Sequence, residues 1–246
     1  MIDNVIHEIK AFLKNNAPSL TTDQKSRTYK IINSDNPNFI WYGIKHSEIE
    51  KFVRKIPLKF NLSYDTASEI FKRLIQSNVH DEKMTALFLL NRFAKDFSKE
   101  TVDMIEKVIP EFYDSWAITD TTMIRVLGPY LAKAGNEELA EKVINKWSHA
   151  DNLWIRRAAL VIFLKIVMVK KKFNSNAIFK LVNQMREDPE DYVHKGIGWL
   201  LKTCSKYEPE IIFEYLKKNK GNLSRIILRY ASEKLTKDKR AEILEK

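Results

Sequence analysis

The segment "FYDSWAITDTTMIRVLG", residues 112–128, places a tryptophan, Trp116, four residues before an aspartate, Asp120. Residues four apart lie on the same face of a helix one turn apart, so the indole and the carboxylate would be neighbours. Asp120 could instead be the N-cap of a helix that begins at "TTMIRVLG", since aspartate accepts hydrogen bonds from first-turn amides. Asp114 and Ser115 are competing caps for a helix that begins one turn earlier and contains Asp120. The sequence leaves both possibilities open.

Two further segments place basic residues beside tryptophan. They are "WIRRAALVIF" from Trp154, with Arg156 and Arg157, and "YVHKGIGWLL" from Tyr192, with His194, Lys195 and Trp199. Consecutive helical residues diverge by about 100°, so at most one of the two adjacent arginines faces a given surface squarely. Such arginines also pair with acidic residues of a neighbouring helix, and tryptophans at these positions are also typical of a helical core. Structural and ligand-binding roles both stay open.

The combination of arginine, indole rings and one carboxylate suits a particular kind of ligand. Arginine binds phosphate through two parallel hydrogen bonds, and an indole face attracts a cationic base or sugar. A carboxylate stabilises an oxocarbenium-like transition state and holds the water that attacks it, as in glycoside hydrolysis. These residue types therefore indicate a substrate with a phosphate, a flat base and a developing positive charge.

The charge of the chain is positive and unevenly distributed. The net charge is +10, and residues 151–246 carry 21 basic against 12 acidic residues, whereas residues 101–150 carry 5 against 8. A basic region of this kind can bind nucleic acid, because phosphates that it neutralises release their counterions. A lysine-rich solubilising surface would give the same count, so charge alone does not decide between the two.

The remaining composition restricts the class of protein. The start "MIDNVIHEIK" has no apolar stretch of the kind that signal peptides carry, and the longest apolar run, residues 158–169, contains Lys165 and is too short to cross a bilayer. We interpret that run as a buried helix. The lone Cys204 excludes an intramolecular disulfide and fits a reducing compartment. We therefore expect a cytoplasmic protein, associated with the nucleoid in a prokaryote or nuclear in a eukaryote.

Apolar residues recur at the i, i+3, i+4, i+7 spacing of amphipathic helices along nearly the whole chain. Turn-forming clusters interrupt this pattern at "NNAPSL", "NSDNPN", "KAGN" and "EDPED". Four apolar segments that begin at Glu82, Ile118, Trp154 and Tyr192 superpose at separations of 36, 36 and 38 residues, each preceded by another helix. Such a period predicts a HEAT-like α-solenoid, in which stacked helix pairs bury a common core. We expect an all-α chain, one domain over residues 1–246, with a basic concave groove lined by these four segments.

Several segments, in order and in register with this repeat, resemble one known family, the AlkD-like DNA alkylation repair enzymes. The matching segments are "WYGIK" (41–45), "MTALFLL" (84–90), "SWAITD" (115–120), "WSHADNLWIRRAALV" (147–161), "YVHKGIGWLLK" (192–202) and "LSRIILRYASEKL" (223–235). The resemblance covers about residues 20–236 and implies a HEAT-like-repeat DNA glycosylase. Such an enzyme would excise N3- and N7-alkylated purines from duplex DNA without drawing the base into a deep pocket.

The resemblance also implies roles for individual residues. Asp120 would be the catalytic carboxylate, Trp116 and Trp199 would pack around the sugar of the lesion, and Arg157 would hold a backbone phosphate. A family tyrosine upstream matches Tyr29 best, with Trp41 and Tyr42 as alternatives. A second aromatic that often accompanies the family tryptophan is replaced here by Ser115. Further DNA contacts are predicted at Trp154, Arg156, His194 and Lys195.

No metal or cofactor site is predicted. His46, His80 and His149 lack metal-ligand spacing, Cys204 has no partner at a recognisable interval, and no nucleotide-binding fingerprint is present. The predicted partner is double-stranded DNA with alkylated bases, bound by a monomer with no membrane and no obligate protein partner. The alternative function is a HEAT-repeat scaffold that binds DNA or protein without catalysis. An anion inside a cationic groove weakens phosphate binding, so a scaffold that only binds has no reason to keep one there. The position of Asp120 therefore distinguishes the glycosylase from the scaffold.

Overall fold

The computed structural model describes residues 1–245 and is all-helical, as predicted. Within these residues the only β-type pairing is one isolated bridge between Ile40 and Val79. The four predicted turn clusters all lie at junctions between helices, and two of them overlap a helix end at Asn15 and Asp191. The prediction of an all-α chain is therefore confirmed.

The chain divides into two compact units, Met1–Val126 and Leu127–Lys246. The prediction of one domain over residues 1–246 stays a prediction. The helices of the first unit are α1 (Ile2–Asn15), α2 (Thr22–Ile32), α3 (His46–Val53), α4 (Ile56–Phe60), α5 (Tyr64–Leu74), α6 (His80–Leu90), α7 (Lys99–Phe112) and α8 (Trp116–Thr121).

Helix α6 forms the centre of the first unit. It contacts α1, α3, α5 and α8, and all eleven of its residues are buried, including the polar first turn His80–Lys83. The apolar segment "MTALFLL" continues the helix and supplies the core of the unit. Because α6 has no solvent face, each of its charged side chains needs a partner within the protein.

The second unit contains α9 (Gly128–Leu131), α10 (Glu137–Trp147), α11 (Leu153–Lys170), α12 (Ser175–Met185), α13 (Asp191–Cys204), α14 (Pro209–Asn219), α15 (Arg225–Ala231) and α16 (Lys237–Leu244). Helix α13 contacts α11 and α15, while α10 packs on α11, and α12 and α14 pack on α13. This alternation of an inner and an outer helix is the predicted repeat. The apolar run at 158–169 lies in α11. Its residues from Ala158 to Ile162 are buried, as expected, whereas Met168 and Val169 at its end are exposed.

The helical run that begins with α8 changes its hydrogen-bond register after one and a half turns. Residues Thr122–Leu127 form a π-helical segment, and α9 follows with Pro129 in its first turn. Proline has no N–H to donate to the preceding turn, so a regular α-helix cannot continue through this position. π-Helical turns are rare and occur frequently at functional sites. The segment begins two residues after Asp120 and contains Arg125.

No helix among residues 1–245 is both long enough and apolar enough to cross a membrane.

Candidate functional site

Asp120 lies inside helix α8 and is not its cap. The N-cap position is Ser115, whose side chain makes no capping hydrogen bond, and Asp120 is the fifth residue of the helix. Trp116 is the first helical residue, so its side chain lies one turn before the carboxylate. Trp116 is half-buried, whereas Asp120 is only 8% exposed. The N-cap interpretation of Asp120 is therefore wrong, and the carboxylate is close to fully desolvated.

Two hydrogen bonds tie the start of α8 to the end of α2. The indole Nε1 of Trp116 donates to the backbone oxygen of Ile31 at 3.0 Å. The backbone N–H of Asp35 donates to the oxygen of Asp114 at 2.8 Å. The first bond fixes the orientation of the indole ring, since its single N–H is engaged.

Helix α2 is the least buried helix of this neighbourhood and carries Tyr29. Only Ile32 of its eleven residues is buried, and Tyr29 is 40% exposed. The phenol ring packs edge-on against Phe39 with the ring centroids 5.3 Å apart. The structure thus joins Trp116 to the helix that presents an exposed tyrosine.

The two alternative aromatics, Trp41 and Tyr42, lie in the loop before α3. The Tyr42 N–H donates to the Asp81 carboxylate at 2.7 Å, and the Ile44 N–H donates to the other oxygen at 3.1 Å. Both aromatic side chains are half-buried. Burial raises the pKa of Asp81, and it also raises the pKa of Tyr42, to which the neighbouring carboxylates contribute. This loop is thereby fixed to the first turn of α6.

A buried ion pair holds the backbone that leads into α8. The Lys83 Nζ lies 2.7 Å from the Asp114 Oδ2 and donates to the Phe112 oxygen at 2.6 Å. Both charged side chains are buried. His80, in the same turn, has its pKa lowered to about 4 because burial disfavours the imidazolium, although Asp114 acts in the opposite direction. The first turn of α6 therefore positions the residues that precede Trp116.

In the second unit, Trp154 and Arg156 contact other residues of the protein. Trp154 is 3% exposed and packs against Tyr192 at a centroid distance of 5.3 Å. The Arg156 guanidinium is bidentate to Asp188, at 2.6 and 3.1 Å, and also donates to two backbone oxygens. Both residues were predicted to contact DNA, and those contacts stay predictions. In this structure the Trp154 ring packs within the protein, and the Arg156 guanidinium donates its hydrogen bonds to protein acceptors.

Arg157 points toward α13. Its Nη1 donates to the Tyr192 oxygen at 2.5 Å, and the residue is 5% exposed. Gly196 provides the room, because a Cβ there would lie 3.7 Å from the Arg157 Nη1 and 3.1 Å from the Leu160 Cδ1. The adjacent arginines therefore diverge as helical geometry requires, one toward Asp188 and one toward α13.

One face of α13 carries a stripe of half-buried residues at the i, i+3, i+7 spacing: Tyr192, Lys195 and Trp199. The Lys195 ammonium lies over the Tyr192 ring, 4.8 Å from its centroid. His194 is half-buried too, and its Nε2 has no hydrogen-bond partner among the described residues. Tyr192 was not singled out from the sequence, although its distance of two helical turns from Trp199 could have identified it.

The predicted residues therefore form two groups, one in each unit. The first unit brings Trp116, Asp120 and the helix of Tyr29 together, and the second places Arg157 against the helix that carries Lys195 and Trp199. Among residues 1–245 no group of three or more His, Cys, Asp or Glu side chains is arranged to hold a metal ion.

Three solved structures have the same fold. A structure described as a predicted DNA alkylation repair enzyme from Enterococcus faecalis matches at a TM-score of 0.74 and 22% identity, covering 88% of this chain and 97% of that one. AlkD2 from Streptococcus mutans matches at a TM-score of 0.59 and 20% identity, covering 87% of this chain and 99% of that one. The smu.31 protein from Streptococcus mutans UA159 matches at a TM-score of 0.58 and 21% identity, covering 77% of this chain and 92% of that one.

A search of curated proteins finds no match. The sequence profile of one family, described as "DNA alkylation repair enzyme", matches residues 9–235. That range contains α2, α6, α8, α11 and α13, and with them every predicted site residue. The chain therefore belongs to the family of DNA alkylation repair enzymes.

Proposed function

We propose that this protein is a DNA glycosylase that excises positively charged N3- and N7-alkylated purines from duplex DNA. The observation that carries the proposal is the position of Asp120 inside α8, one turn from the anchored indole of Trp116. Family membership supports DNA with alkylated bases as the substrate. The N-glycosidic bond is the bond that this residue set is suited to hydrolyse.

The proposed chemistry needs one carboxylate and no general acid. An N3- or N7-alkylated purine already carries a positive charge, so it leaves as a neutral base without prior protonation. The bond between the base and C1′ breaks, and positive charge develops on the sugar. Asp120 stabilises that charge and orients a water molecule for attack at C1′. Its low exposure strengthens the effect, because solvent screens a desolvated charge less.

The aromatic and basic residues supply binding in this proposal. The hydrogen bond to Ile31 holds the Trp116 ring in one orientation beside the sugar. Tyr29 is the upstream tyrosine that we favour over Trp41 and Tyr42, since its helix is the one bonded to Trp116. Arg157 would hold a phosphate, and Trp199, Lys195 and His194 would line the DNA surface of α13.

A second candidate is a family member that binds DNA without cleaving it. The burial of Asp120 favours this candidate, because a nearly buried carboxylate that already interacts within the chain is typical of a structural residue. The predicted monomeric state and cytoplasmic location are compatible with both candidates and stay predictions.

Base release from duplex DNA that contains 7-methylguanine or 3-methyladenine distinguishes the two candidates. The glycosylase proposal expects the wild type to release the free methylated base and Asp120→Asn to release it at least about 10²-fold more slowly, while Asp120→Asn binds the duplex at least as tightly. Equal release by the two proteins would remove the catalytic role of Asp120. Binding without release by the wild type would establish the second candidate.

Arg157→Gln tests the proposed phosphate contact. We expect weaker binding of the duplex and slower release, with the slope of log affinity against log salt reduced by about 0.9. A variant with an unchanged salt slope would show that Arg157 contacts no phosphate.

A further inference from the structure

A pocket in the first unit is lined by three arginines. It has a volume of about 340 Å³, and its lining includes Arg54, Arg92, Arg125, Glu50 and Phe88. Arg54 caps the C-terminus of α3, Arg92 lies in the single turn of 3-10 helix after α6, and Arg125 lies in the π-helical segment after α8. Three separate elements thus direct guanidinium groups to one concavity. None of the three arginines has a part in the site described above.

The charges of this pocket are not balanced. Glu50 is its only carboxylate and forms an ion pair with Arg125, which also lies 5.3 Å from the centre of the Phe88 ring. The Arg54 Nε makes a long bond of 3.4 Å to the Glu50 backbone oxygen. Arg92 is exposed and forms no ion pair with any residue among 1–245. All three arginines are exposed, so the pocket presents an excess of positive charge to solvent.

Guanidinium groups in this arrangement select a phosphate. Each offers a planar fork of donors that matches phosphate oxygens, and several forks around one concavity bind an anion from more than one side. The single carboxylate neutralises one guanidinium and would be displaced from it by a competing anion. Binding therefore depends on how strongly Glu50 holds Arg125.

The pocket lies close to the candidate catalytic residue along one helical run. Arg125 follows Asp120 by five residues, which is about 7.5 Å along a helix axis at the α-helical rise of 1.5 Å per residue. Successive nucleotides of one strand advance about 3.4 Å along duplex DNA. The offset thus corresponds to about two nucleotide steps, and a strand with its lesion at Asp120 would carry a phosphate within reach of Arg125.

We propose that the arginine pocket, Arg54, Arg92 and Arg125, binds a backbone phosphate of the DNA about two nucleotides from the lesion, in competition with Glu50. This inference rests on the proposed function for the position of the lesion. The binding of undamaged duplex depends on the pocket alone, because a phosphate contact is independent of the base.

Removal of the competing carboxylate is the first test. Glu50→Gln should tighten binding of an undamaged duplex oligonucleotide by about two- to fivefold, the range that corresponds to an exposed ion pair. The matched control is Glu69→Gln, which also adds one unit of net charge and also breaks an exposed ion pair, with Lys72 on α5. Equal tightening by the two variants would overturn the proposal, since a general charge effect would then explain both.

Removal of a guanidinium is the second test. Arg92→Gln should weaken binding of the same duplex and reduce the slope of log affinity against log salt by about 0.9. Lys107→Gln, at an exposed lysine on α7, removes the same charge and should leave the slope within about 0.2 of the wild type. An unchanged slope in Arg92→Gln would contradict the proposal.

Two further measurements separate the possible sources of failure. If inorganic phosphate at constant ionic strength stabilises the wild type but not Arg92→Gln, while DNA binding is unchanged, the ligand is free phosphate and the proposal is wrong. Base release from methylated duplex is measured on the same proteins. Pocket-dependent binding without base release by the wild type would refute the proposed function alone, and base release with a normal salt slope in Arg92→Gln would refute the pocket alone.

Discussion

Helices α6 and α13 contain two of the four segments that superpose in sequence, and they are held in place by different interactions. The first turn of α6 is polar and completely buried, and it is fixed by Lys83, Asp81 and their partners. The first turns of α13 are half-buried and hold a stripe of aromatic and basic residues. The body of α13 approaches its neighbours through Gly196 and Gly198.

The difference follows from the neighbours of each helix. Helix α6 packs among α1, α3, α5, α7 and α8 and has no solvent face, so its charged side chains must be paired within the protein. These paired side chains also position the residues that lead into α8. Helix α13 is contacted on its sides by α11 and α15 and keeps one partly open face. Close backbone packing holds it without using the polar groups of that face. The polar first turn of α6 thus positions the residues before α8, whereas the first turns of α13 keep their aromatic and basic side chains partly exposed.

The largest stability effect is expected at the buried ion pair. Lys83→Met should lower the free energy of unfolding by about 3–5 kcal/mol, because it leaves the Asp114 carboxylate buried without a counter-charge. Urea unfolding followed by tryptophan fluorescence measures this loss. Lys195→Met on α13 is the matched control and should change stability by less than about 1 kcal/mol. Similar losses in the two variants would remove the contrast between the helices.

The second effect concerns His80 and depends on pH. Its pKa is about 4 in the folded protein, and an unfolded histidine titrates near its ordinary value of 6.5. As pH falls below 6.5, His80 is protonated in the unfolded state but stays neutral in the folded protein. Protonation therefore favours the unfolded state, and the free energy of unfolding decreases as pH falls from 6.5 toward 4. The loss amounts to about 3 kcal/mol.

His80→Asn tests this dependence. Asp114, Lys83 and His46 also influence His80 and remain in the variant. The stability advantage of the wild type over His80→Asn should shrink by about 3 kcal/mol between pH 7 and pH 4 in urea unfolding. A difference that stays constant over this range would show that His80 is not kept neutral by burial.

A smaller effect is expected where α13 packs against α15. A Cβ at Gly198 would lie 2.4 Å from the Tyr230 Cβ and 3.2 Å from the Ile227 oxygen, so α15 must move to admit it. Gly198→Ala should destabilise the protein by about 1–3 kcal/mol. Gly221→Ala, where a Cβ meets nothing within 4 Å, should stay within about 0.5 kcal/mol of the wild type. Thermal unfolding of the two variants compares them, and equal midpoints would contradict the close packing.

The helices and their pairing could be predicted because apolar spacing is a local signal. The segments from Glu82, Trp154 and Tyr192 lie in α6, α11 and α13, and the apolar run at 158–169 lies in α11. The burial of the first turn of α6 could not be predicted, since "HDEK" has the composition of a solvent-exposed turn. Only the partners that folding brings to it, Asp114 among them, make its charges tolerable in the interior.

The same limit applies to the arginines. Arg156 and Arg157 are adjacent and alike in sequence, and their roles diverge because Asp188 and Tyr192, more than 30 residues away, pack on different sides of α11. Arg54, Arg92 and Arg125 share no local motif and become a cluster only when three elements meet. The position of Asp120 could be predicted in part, because the sequence offered Ser115 as one of the possible caps for a helix that contains Asp120. In the structure Ser115 is the N-cap of α8.

The most direct test compares two carboxylates on either side of Trp116 in single-turnover release of 7-methylguanine from duplex DNA. Asp120→Asn should slow release by about 10²–10³ or more, with DNA affinity and unfolding midpoint retained. Asp114→Asn should lower the unfolding midpoint but keep the rate per folded molecule within about tenfold of the wild type. Wild-type release by folded Asp120→Asn would contradict the assignment of the catalytic charge to α8.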